Sequence, residues 1–160
     1  MSQWQPEQQI TALKYGAYTT LACCAMFGIS LADTILTALT GESSTVLSVA
    51  SLLTAVAFLI FAARWGVKRT GYGGWREMLG MYTEEFARDL NRKATSYACF
   101  VVLVMLLLAY LLARPSFLSK LGTTMQTIIN LSNFSLLLLL VAGMVWATTV
   151  LLNLREEADD

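Results

Sequence analysis

Apolar positions along this chain gather into four long runs, residues 16–39, 44–63, 96–113 and 128–152, with charged residues pushed almost wholly into the stretches between them and Asp33 as the exception. A helix rises ~1.5 Å per residue, so each run is about long enough to cross a hydrocarbon core of ~30 Å. The pattern predicts an all-α fold: an integral membrane four-helix bundle with one cytoplasmic amphipathic helix in the connection 64–95. With over half of the 160 residues inside spans, the chain reads as a single four-span membrane domain without a separate soluble domain. The hydrophobic fraction of 56% and mean hydropathy of +0.59 point the same way. The first run is too long for a cleavable signal segment and lacks a basic flank, so a retained helix is expected. Residues 2–14 read as a short interfacial helix, with Pro6 and Glu7 suited to its first turn, continuing into the first span.

The long connection opens with a glycine-rich turn at 70–74 whose spacing does not match a phosphate loop. From there Trp75, Leu79, Tyr82, Phe86 and Leu90 recur on one helical face. Thr83 is expected to cap a helix beginning at Glu84 and Glu85, with Glu84 to Arg88 and Asp89 to Lys93 as i,i+4 ion pairs. An amphipathic helix over 75–93 would bury its apolar face on lipid headgroups or on another protein. Glu84, Glu85 and Asp89 oppose anionic headgroups, which favours a protein docking on Trp75, Leu79, Tyr82, Phe86 and Leu90, with Arg88 beside them. The two short connections predict antiparallel neighbours, and the absence of an internal repeat gives no sign of an inverted-repeat transporter.

Two stripes mark the first span. Gly16, Thr20, Cys24, Gly28 and Ala32 place small residues every fourth position, allowing a second helix to approach closely. That helix is either the second or fourth span of the same chain, or a second copy in a homo-oligomer. Ser30, Asp33, Thr34 and Thr37 form a polar stripe, with Asp33 roughly 9 Å from the outer end at ~1.5 Å per residue. Ser48, Ser51, Arg114, Asn130 and Asn133 fall at similar depth and would complete a polar outer chamber. Intramembrane carboxylates are costly and commonly functional, so Asp33, Arg114, Ser30 and Asn133 form a candidate proton or cation site. The competing reading is an acid shallow enough to be hydrated.

Of the eleven Lys and Arg residues, seven lie in the connection 64–95 (Arg64, Lys68, Arg69, Arg76, Arg88, Arg92, Lys93). Adding Lys14 and Arg155 makes nine on one side against Arg114 and Lys120 on the other, which predicts cytoplasmic termini. Acidic residues interrupt the basic segment, so direct nucleic-acid binding is not expected, and anionic headgroups suit it better. Trp65, Trp75, Tyr97 and Trp146 read as interfacial anchors. Cys23, Cys24 and Cys99 lie in apolar runs and read as small packing residues. Without histidine the chain offers no two-His haem anchor, H-E-x-x-H zinc site or Ser-His-Asp triad, and Asp33 has no second intramembrane acid beside it. The expectation is therefore a non-enzyme with no cofactor and no metal.

The segment 83–94, with Glu84, Glu85, Arg88, Lys93 and Ala94 leading into the third span, resembles the juxtamembrane stretch of small uncharacterised bacterial four-helix inner-membrane proteins. Such proteins are often encoded beside helix-turn-helix regulators. The resemblance implies a bacterial inner-membrane protein that holds or inhibits a transcription factor, with no catalytic residues. Three functions are thus expected: an interaction or regulatory protein docking a partner through 75–93, a small transporter or channel subunit using the Asp33 chamber, or an accessory subunit of a larger membrane complex.

Overall fold

The computed structural model describes residues 6–67, 81–112 and 130–159. Among the described residues it is all-α, with four helices: α1 (Pro6–Thr40), α2 (Thr45–Val67), α3 (Glu85–Leu112) and α4 (Leu131–Asp159). All four are long and apolar enough to cross a membrane, which makes the chain an integral membrane protein. From Pro6 the expected interfacial helix and the first span are one continuous helix of 35 residues, longer than a bilayer core requires.

Hydrocarbon supplies no hydrogen-bond partners, so each span must satisfy its own polar groups. Hydroxyls do so by donating to the carbonyl one turn back, as with Thr19 to Tyr15, Thr20 to Gly16, Thr34 to Ser30 and Thr54 to Ala50. Ser135 and Thr148 follow the same rule in α4. α1 stops at Gly41, whose φ of 79° is the left-handed conformation glycine adopts freely, and whose N–H donates to the Thr37 carbonyl at 2.9 Å. α4 starts on Asn130, whose side-chain oxygen accepts the Asn133 N–H at 2.8 Å.

α1 packs along both α2 and α4, α3 packs along α4, and α3 meets α1 over a short stretch. The helices therefore contact one another in the order α2, α1, α4, α3. Short connections do give antiparallel neighbours, while α2 and α3, joined by the long connection, are not packed partners. Tyr18 of α1 and Phe61 of α2 bring their rings to 5.8 Å between centroids at a 32° tilt.

The seam between α1 and α4 is set by small residues in antiparallel register. A Cβ built on Gly143 would lie 2.5 Å from Cys24 Sγ and 3.2 Å from Thr20 Cγ2, and one built on Gly28 would lie 3.2 Å from Leu140 Cδ1. Cys24 Sγ donates to the Leu140 carbonyl at 3.4 Å. Gly16 and Cys24 are buried. The small-residue stripe is thus an intramolecular seam with α4 through Gly28, and a homo-oligomer cannot use that part of it because α4 already lies there. Its last member, Ala32, is exposed.

The buried core sits at the end of the molecule where α1 and α3 begin and α4 ends. Leu13 and Ala17 from α1, Ala87, Leu90 and Ala94 from α3, and Ala147 and Val150 from α4 meet there, with Tyr82 over them. Elsewhere large apolar side chains, such as Leu52, Leu53, Leu59, Phe100, Leu103 and Leu107, point outward, as a lipid-facing surface requires.

Candidate functional site

The segment expected to dock a partner lies at this end. α3 begins at Glu85, residues 81–84 are not helical, and Trp75 and Leu79 lie outside the described residues. Tyr82 and Leu90 are 7% and 4% exposed and Phe86 packs against the same cluster. That corrects the docking expectation for this part of the segment: Tyr82 and Leu90 are already buried and Phe86 partly so, because this face seats α3 on α1 and α4. Within one chain it finds apolar partners at no cost in lost translational freedom, which a separate protein would have to overcome.

What holds the segment is a residue that pattern reading missed. Gln9 is 1% exposed and spends both ends of its amide on the start of α3. Its Oε1 accepts the N–H groups of Thr83 at 2.8 Å and Glu84 at 2.9 Å, and its Nε2 donates to Thr83 Oγ1 at 2.8 Å. Glu84 then caps the helix, its Oε1 accepting the Phe86 N–H at 3.1 Å and its Oε2 the Ala87 N–H. The cap is therefore Glu84 and not Thr83, whose hydroxyl is committed to Gln9. A polar residue on an otherwise apolar helical face was the available signal: Gln9 lies one turn before Leu13 and on its side.

The charged residues of α3 are arranged differently from the i,i+4 expectation. Glu84 caps, Arg88 Nε stands 3.8 Å from Asp89 Oδ1, and Lys93 Nζ donates to Asn153 Oδ1 of α4 at 3.0 Å. Helix capping offers the Glu84 carboxylate two backbone N–H groups in fixed positions, which outweighs a solvent-screened surface pair. Trp146 Nε1 donates to Asn91 Oδ1 at 3.1 Å, so this indole ties α4 to α3. Glu85, Arg88, Asp89, Arg92 and Lys93 are exposed and form the polar surface of this end.

At the opposite end, Asp33 is partly buried and its Oδ1 lies 3.5 Å from the Ser44 amide, which donates to it. Ser44 immediately precedes α2 and its carbonyl receives the Ser48 N–H, so the carboxylate sits at the positive end of the α2 dipole. Continuing the α1 and α4 register places Asp33 level with the first turn of α4, where Asn133 is 7% exposed. Ser30 is exposed and contributes its carbonyl to Thr34. Arg114, the expected partner of Asp33, lies outside the described residues, as do the turns at 70–74 and 115–122 and the side chain of Trp65. Among the described residues no three His, Cys, Asp or Glu side chains converge as a metal set.

Comparison with protein-family models, curated proteins and solved structures finds no match to this chain.

Proposed function

We propose that this chain is a non-enzymatic interaction protein of the bacterial inner membrane that engages a cytoplasmic protein through the charged ridge opening α3. The observation that carries this reading is the division of labour on that helix. Its apolar residues Leu90 and Ala94 are buried inside the molecule, leaving Glu85, Arg88 and Asp89 exposed beyond the membrane boundary on a backbone fixed by Gln9. A rigid, mixed-charge surface confers specificity on a partner with the complementary pattern. The juxtamembrane resemblance supports a helix-turn-helix regulator as that partner.

Cytoplasmic termini rest on the nine-to-two Lys and Arg asymmetry. Glu42→Cys in a cysteine-free background should react with an impermeant thiol reagent in intact cells, and Ala158→Cys should not. The reverse pattern places the ridge outside and removes the proposal. For docking itself, a photo-crosslinking residue at Glu85 should give a discrete adduct in cells, and Arg88→Glu with Asp89→Arg should eliminate it without altering the melting transition. Adducts that survive the charge swap unchanged refute the reading.

A further inference from the structure

Along α3, Arg88, Arg92, Ser96, Cys99, Leu103, Leu107 and Tyr110 recur at three- and four-residue intervals on one side, and all are exposed. The opposite side, Ala87, Leu90 and Ala94, is buried against α1 and α4. One outward stripe therefore runs from cationic at Arg88 and Arg92 to uncharged and largely apolar beyond Ser96. From Ala94 to Leu112 there are 19 residues without a charge, spanning about 28 Å at ~1.5 Å per residue. That length matches a hydrocarbon core of ~30 Å, so Arg92 and Lys93 lie at the level of the lipid phosphates.

We infer that this stripe, together with the exposed Lys93 and Phe100 on the side of α3 next to it, seats an anionic phospholipid, its phosphate held between Arg92 and Lys93 and its acyl chains lying along Phe100, Leu103 and Leu107. The inference goes beyond protein docking, which uses residues one to two turns farther from the membrane. Charge complementarity commits the occupant. Asp89 stands on the same wall, but its carboxylate is paired with Arg88 at 3.8 Å, and Glu85 is a further turn away from the membrane. Arg88, Arg92 and Lys93 against Asp89 leave a surplus of two positive charges at the boundary. Lys93 is steadied by Asn153 at 3.0 Å and retains two ammonium N–H groups, while the Arg92 guanidinium offers a bidentate fork suited to a phosphodiester. Phe100 at 67% exposure, Leu103 at 59% and Leu107 at 60% provide the continuous apolar track that an acyl chain fills.

The test uses the full chain in mild detergent with equimolar phosphatidylglycerol and phosphatidylcholine, read by native mass spectrometry. Phosphatidylglycerol adducts should predominate, and the preference should fall about five-fold for each cation removed in Arg92→Gln and Lys93→Gln. Lys14→Gln, an exposed cation on α1, should leave it unchanged. Equal binding of the two lipids by the wild-type protein, or a preference retained by the double variant, overturns the inference. Should the double variant not fold, a phosphatidylglycerol with a photoreactive acyl chain decides on the wild-type protein. Labelling concentrated on residues 100–107 upholds the seat, and labelling concentrated on α2 overturns it.

Discussion

Gln9 shows how one buried amide can decide the geometry of a helix far along the chain. It saturates the Thr83 and Glu84 amides, which precede α3 and have no intrahelical acceptor. Replacing it by leucine keeps the volume but removes the acceptor of two part-buried amides and the partner of the Thr83 hydroxyl, at ~1–3 kcal/mol in all. Gln9→Leu should therefore destabilise the protein by about 1–3 kcal/mol in detergent unfolding, and amide exchange at Thr83 and Glu84 should accelerate. Gly143 makes an equally sharp case. Its added Cβ would stand 2.5 Å from Cys24 Sγ, so Gly143→Ala should cost about 1–3 kcal/mol by forcing α1 and α4 apart. Adding Cys24→Ala should recover part of that loss, because the 3.2 Å approach to Thr20 remains. Asp33→Asn retains an oxygen for the Ser44 amide and loses the interaction with the α2 dipole, so melting should change by less than about 1 kcal/mol. A cation-dependent uptake into liposomes that vanishes in Asp33→Asn would instead assign the transport role.

At the scale of the element, α3 carries three demands on different sides and levels of one helix. Its first turns join the core through Ala87, Leu90 and Ala94, its ridge meets the cytoplasm in the proposed orientation, and its remaining length faces lipid. A mutation on the inner side is therefore a folding mutation. Leu90→Asp should abolish the cooperative unfolding transition by placing a charge among Leu13, Ala17 and Val150, whereas Arg88→Gln should leave it unchanged. Equal effects of the two would mean that Leu90 is not buried in the membrane-embedded protein. The start of α3 was only partly legible. The apolar spacing of Tyr82, Phe86 and Leu90 signalled a buried face, but a local reading assigned the cap to Thr83 because the competing partner, Gln9, lies 74 residues away.

Across the whole molecule the helices order as α2, α1, α4, α3, with α1 and α4 at the centre. In a cysteine-free background, Gly28→Cys with Leu140→Cys should cross-link with a short bifunctional reagent, as the Gly28 and Leu140 contact requires. Val56→Cys on α2 with Leu103→Cys on α3 should not, since those side chains face outward from helices that do not pack together. Efficient α2 to α3 cross-linking within one chain would contradict the order. The central pair holds through close backbone approach, which is how association proceeds where lipid is as apolar as leucine.

What the sequence determined by itself was the set of helices and their membrane character, because hydrocarbon allows a run of ~20 apolar residues few structures other than a helix. It also marked the stripe from Gly16 to Ala32 as a close-approach face, of which the structure packs the part through Gly28 and leaves Ala32 exposed. Which helix fills that stripe, which residue caps α3 and whether Tyr82, Phe86 and Leu90 face a partner were decided by tertiary structure. Each depends on residues distant in sequence competing for the same surface: Gly143 for Cys24, Gln9 for Thr83, Val150 and Leu13 for Leu90. Periodicity reports that a face must be covered. Only the fold decides what covers it, because in a four-span chain every buried face has several candidate partners of the same chemistry.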